Sequence, residues 1–126
     1  MATVDYALTP ELGDPLFGRG VSYTLVWTLT NSDADGAPIR IGSNVVDITF
    51  QFAGTFDGAT LVIEGTNDAS TWLTHTDLDG AAMSYTAAAS ALAAPRELGR
   101  RIRPRTSGGG GSQSVVVTAT LRVAEA

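Results

Sequence analysis

Few residues in this chain have a type and spacing suited to chemistry. His75 is the only histidine and the only side chain that ordinarily titrates between pH 5 and 8. Two Asp-x-Asp-Gly runs, Asp33 to Gly36 and Asp77 to Gly80, set paired carboxylates ahead of a glycine, as loops for hard cations do. Every basic residue is Arg, and five of the eight fall within ten positions: Arg96, Arg100, Arg101, Arg103 and Arg105.

Each of these could do something definite, and each has a plainer role. A general base needs a partner that orients it, and nothing near His75 in the pattern supplies one, so His75 reads as a surface residue on a short strand. No G-x-S-x-G elbow is present for Ser-His-Asp chemistry, and there are no cysteines to act as nucleophiles or thiolate ligands. Asp-Gly is a turn former without any metal, and neither aspartate pair is followed by a bidentate carboxylate at EF-hand spacing. The chain therefore reads as a non-enzyme with no cofactor and no metal. The arginine run has three readings: a solvated strand face, a phosphate contact, or a patch whose guanidinium forks pair with carboxylates of a neighbouring subunit. A net charge of −5 argues against a nucleic-acid track.

The elements that must hold these residues are strands. In Val21 to Thr30, Tyr23, Leu25, Trp27 and Leu29 share one face and Thr24, Val26, Thr28 and Thr30 the other. Val46, Ile48, Phe50 and Phe52 alternate with Asp47, Thr49 and Gln51, and after the turn at Asp57-Gly58 Leu61, Ile63 and Gly65 alternate with Thr60, Val62 and Glu64. These two runs read as neighbouring antiparallel strands. Pro38 marks Ile39 as an edge or entry segment. Shorter strands are expected near Trp72 and Met83, with Trp72 packed in the core on the same face as Thr74. Ala87 to Ala94 has helix-forming composition for a turn or two before Pro95. Arg100 to Arg105 and Ser114 to Val123 read as a closing hairpin around the glycine-rich run Ser107 to Ser112, with Val115, Val117, Ala119, Leu121 and Val123 inward. That run has the composition of a flexible linker, but strands flank it on both sides.

Turn signals every ten or so residues give an all-β fold, a single antiparallel β-sandwich or jelly-roll of about seven or eight strands spanning residues 21–126. Residues 1–20 carry Pro10, Pro15, Gly13, Gly18 and Gly20 among Tyr6, Leu8, Leu12, Leu16 and Phe17. They read either as an irregular N-terminal arm that docks on another surface or as a first edge strand of the same domain. No run approaches the ~20 apolar residues of a membrane helix, and Met1-Ala2-Thr3-Val4-Asp5 lacks the basic-then-apolar order of a secretion signal, so a soluble protein with no membrane partner is expected.

The run from Phe50 to Gly80, then Arg101-Ile102-Arg103-Pro104-Arg105 and the glycine loop before a Val/Thr strand, resembles small tailed-phage virion proteins. The likeness extends over Thr49 to Leu121. It implies a decoration or cement protein that stabilises the capsid exterior, made in the host cytoplasm, with the major capsid protein as partner and a homo-oligomer, a trimer favoured. The apolar residues of the arm and the uneven placement of charge make Tyr6, Leu8, Leu12, Leu16, Phe17 and the five clustered arginines the candidate contacts. A tail or connector protein is the nearest alternative. Gly65-Thr66-Asn67-Asp68-Ala69-Ser70-Thr71-Trp72 also resembles a segment of discoidin-like jelly rolls, which implies a carbohydrate-binding module with Trp72 and the Asn67-Asp68 loop as its platform.

Overall fold

The computed structural model describes residues 3–12, 20–88 and 92–124. The chain is an all-β sandwich of two sheets. Its strands are β1 (Thr3–Val4), β2 (Ala7–Leu12), β3 (Gly20–Leu29), β4 (Asp35–Gly36), β5 (Ile39–Arg40), β6 (Val45–Thr55), β7 (Thr60–Thr66), β8 (Leu73–Thr74), β9 (Ser84–Tyr85), β10 (Arg101–Ser107) and β11 (Ser114–Ala124). One sheet runs β2-β3-β11-β6. The other runs β1-β4-β10-β7-β8, with β5 also on β10 and β9 also on β7. All pairings are antiparallel except β1 with β4.

The buried face of each long strand is the apolar phase of its alternation. Leu25, Trp27 and Leu29 of β3, Ile48, Phe50 and Phe52 of β6, and Val115, Val117 and Ala119 of β11 meet Leu61 and Ile63 of β7 and Ile102 of β10 across the core. Trp27 is fully buried and its indole N–H donates to the Ala37 carbonyl at 3.1 Å, so its one polar atom is satisfied. Val46 breaks the phase and is 62% exposed. The register explains this: Arg122 faces Asp47 but Val123 faces Val45, leaving Val46 as the extra residue of a bulge.

Two expected hairpins are instead crossings between the sheets. The Asp57-Gly58 turn forms, with φ of 47° and 82° and the Ala59 N–H bonded to the Phe56 carbonyl at 2.8 Å. However, β6 pairs with β11 and β7 with β10. Phe56 and Ala59 on either side of the turn are both buried. The turn therefore closes one end of the sandwich, and the apolar faces of β6 and β7 oppose each other across the core. In the same way β10 and β11 lie in different sheets.

The glycine run that joins β10 to β11 is held in place. Asp57 accepts from the Gly110 N–H through its carbonyl and from the Ser112 N–H through Oδ2, both at 3.0 Å. The buried Gln113 amide donates to the Leu29 carbonyl and to Thr106 Oγ1. The two crossings are thus tied to each other.

No helix occurs among the described residues, and none is therefore long and apolar enough to cross a membrane. In the alanine-rich segment Ala93 exchanges both backbone bonds with Phe50, at 2.7 and 2.9 Å, along the open edge of β6. Covering a sheet edge prevails there over weak helix propensity.

Of the expected strands, all eight are present within a residue or two. β2 is the first edge strand that was one of the two readings of the first twenty residues; the two-residue strands β1 and β4 are additional, the latter formed by Asp35-Gly36, which reads as a turn. The described part of the N-terminal segment is an edge strand: β2 pairs with β3 from Ala7↔Val26 to Leu12↔Val21, and Tyr6 stacks edge-on against Trp27 with centroids 5.5 Å apart.

Candidate functional site

Strand alternation splits the arginine run. Ile102, Pro104 and Thr106 of β10 point into the core, which sends Arg101, Arg103 and Arg105 to the outer face of their sheet. Pro104 is tolerated in this interior strand because the N–H and C=O of its opposite number, Ile63, turn away to Met83 and His75. Its missing donor falls on the other side, where the partner is broken into the short strands β4 and β5.

The three outward arginines then meet different surroundings. Arg103 Nε donates to Glu64 Oε1 at 2.8 Å, with the two side chains 16% and 6% exposed, and its guanidinium carbon lies 4.0 Å from the centre of the Trp72 ring. Arg105 Nε is 3.2 Å from Asp35 Oδ1, an ion pair whose misalignment leaves both of those buried atoms without a hydrogen bond. Arg101 lies directly opposite Arg40 of β5, a like-charge pair across the strands.

Arg40, Arg100 and Arg101 rim an open cleft of about 900 Å³ at the mouth between the two sheets, with Tyr23, Ile41 and Leu121 among its lining residues. Among the described residues no carboxylate pairs with any of the three. The Arg100 backbone is fixed on both sides: its N–H donates to Asn67 Oδ1 and its carbonyl accepts from Ile41. Asp68 is the one acid on the rim. Its Oδ1 accepts from the N–H groups of Thr71 and Ser70 and the hydroxyl of Thr66, and these bonds hold its carboxyl well below the usual carboxylate range.

His75 is buried, 5% exposed, not on the surface as its short strand suggested. Its backbone bridges Ile63 and Met83, and its ring lies over Gly65, where any Cβ would overlap Cε1. The Gly99 N–H donates to Nε2 at 3.3 Å, which occupies the lone pair a general base would use and puts the neutral ring's proton on Nδ1. Glu97 Oε1 stands 3.8 Å from Nδ1, an orienting carboxylate that sequence spacing did not disclose. Burial lowers the His75 pKa more than Glu97 raises it. Glu97 is itself held below its ordinary value by the backbone N–H and the hydroxyl of Thr76. The arrangement positions the 96–99 segment against β7 and β8.

Trp72 precedes β8, is half-buried, and lies outside the core cluster; Arg103 covers one face of its ring. It is neither the core residue the alternation predicted nor an open platform.

Of the aspartate runs, Asp77 makes a turn with its Oδ1 accepting from Asp79 and Ala81, and Gly80 takes φ of 86°. Asp35, however, is a strand residue paired with Arg105. Among the described residues no group of three or more His, Asp or Glu is placed to hold a metal ion.

The remaining anticipated contacts scatter. Leu8 is 52% exposed on β2, Tyr6 packs against its own core, and Leu12 joins β2 through its backbone. Leu16 and Phe17 lie outside the described residues. Arg96 is exposed beside the Asp77–Gly80 turn, away from the cleft. Besides Glu97, sequence reasoning missed Arg40: it is distant from the run in sequence, and only the β5–β10 register brings it to Arg101. The sequence matches no protein-family model and no curated protein.

Proposed function

We propose that the chain is a non-enzymatic structural protein that docks on a larger assembly through uncommitted arginines at one end of its sandwich. The observation that carries this reading is the contrast in commitments. The His75 lone pair and the Asp68 and Asp77 carboxylates are engaged in holding turns and loops, whereas Arg40, Arg100 and Arg101 line a cleft and make no ion pair among the described residues.

On the resemblance carried by Thr49 to Leu121, the assembly is a phage capsid. The protein is then a decoration or cement protein on its exterior, bound to the major capsid protein as a small homo-oligomer, a trimer favoured. Because β2 and Tyr6 are integrated in the sandwich, the contribution of the described part of the N-terminal segment narrows to exposed positions such as Leu8.

Quantitative mass spectrometry of purified virions tests the capsid reading. Hundreds of copies per particle are expected; a handful would move the protein to the tail or connector, and absence from the particle would overturn the virion assignment.

A further inference from the structure

We propose that the mouth rimmed by Arg40, Arg100 and Arg101 binds an acidic, partly apolar peptide segment of a protein partner. This rests on the reading of the chain as a docking protein, but not on the partner being a capsid.

Three observations converge on that occupant. Arg40 and Arg101 are directly opposed in register, and like charges so placed destabilise a sheet unless an anion bridges them. Arg100 adds a third arginine, whose main chain is pinned by Asn67 and Ile41 so that the exposed side chain starts from a fixed point on the rim. The other cross-strand arginines, Arg103, Arg105 and Arg122, each have a carboxylate, which sets the rim apart as charge left for an external partner.

The lining selects among anions. Tyr23, Ile41 and Leu121 are half-buried apolar residues at the same mouth. Inorganic phosphate would use the guanidiniums and leave that apolar surface wet. A segment alternating acidic and apolar side chains uses both, its carboxylates meeting the arginine forks and its apolar residues the floor. Asp68 is one ionised carboxylate on a rim with three arginines, so the balance of charge there stays positive, and its Oδ1 is turned toward the bonds of its own loop. The net charge of −5 opposes a long polyanion such as nucleic acid.

The test is an NMR titration of the intact protein with a short blocked peptide of alternating Glu and Leu, run beside a Lys-Leu peptide and inorganic phosphate. The Glu-Leu peptide should give saturable shifts at the Ile41, Asn67, Arg100 and Arg101 amides. Affinity should fall about tenfold in Arg101→Gln, further in the Arg40→Gln/Arg101→Gln double variant, and with added salt. Arg122→Gln, on the outer face of the other sheet, should bind as the parent does. Absence of saturable shifts, undiminished binding by a folded double variant, or saturation by phosphate but not by the peptide would overturn the proposal. So would the same shifts on concentrating the protein alone, which would assign the mouth to a second copy of this chain.

Discussion

Arg103 and Arg101 are two residues apart on the same strand and the same face, yet they belong to different parts of the molecule. Arg103 is clamped between Glu64 and the Trp72 ring. Arg101 faces Arg40 at an open mouth. Nothing in the two side chains differs, so the neighbouring strand decides: β7 supplies a nearly buried acid opposite Arg103, and β5 supplies another arginine opposite Arg101. A run of like residues thus divides into a half paired within the fold and a half that makes no ion pair among the described residues.

Substitutions that exchange the two halves separate them most sharply. Arg103→Ala leaves Glu64 buried without its counter-ion and should cost about 3 kcal/mol in urea unfolding. Arg101→Ala should stay within about 0.5 kcal/mol of the parent, or stabilise slightly, because it relieves the opposition to Arg40. Equal losses for the two would abolish the distinction.

The same logic applies to the glycine loop. A Cβ at Gly110 would overlap the Asp57 carboxylate, whereas one at Gly111 meets nothing within 4 Å. Gly110→Ala should therefore lower stability by about 1–3 kcal/mol and Gly111→Ala by less than about 0.5 kcal/mol. Two neutral substitutions would mean that the run behaves as a loose linker.

A smaller effect should follow pH. Burial holds the His75 pKa low, so the unfolded chain takes up a proton first as pH falls through about 6.5, and stability declines from there until the folded protein also protonates. Glu97 and Asp68 have depressed folded values, so their contribution is complete above the ordinary carboxylate range and is lost as pH falls through it and below, from about pH 4. Thermal unfolding between pH 8 and pH 3 should show both declines, and Glu97→Gln should shrink the lower one.

How much of this the sequence disclosed depends on the range of the interaction. The inward phases of β3, β6, β7 and β11 were legible because alternation is local, and so were the turns at Asp57-Gly58 and Asp77 to Gly80, where one residue sets the backbone and a neighbour accepts the bond. Which sheet each strand joins was not legible. An Asp-Gly turn serves a hairpin or an inter-sheet crossing equally, and burial of Phe56 and Ala59, known only from the packed structure, decides between them.

The same holds at the candidate site. The cluster from Arg96 to Arg105 was visible as composition, but its division was not, since Glu64, Asp35 and Arg40 reach it only through the pairing of β10 with β7, β4 and β5. His75 was misplaced for a related reason. Period-two reasoning assumed a continuing strand, but β8 ends at Thr74 and the ring turns in over Gly65.

The most direct measurement sets Arg101→Gln against Arg103→Gln, with urea unfolding and Glu-Leu peptide binding recorded on both. A crossed result is predicted: Arg101→Gln keeps its stability and loses about tenfold in affinity, while Arg103→Gln loses stability and binds the peptide as the parent does. If both variants change the same property, or Arg101→Gln binds undiminished, the two halves of the arginine run do not have the separate roles described for them.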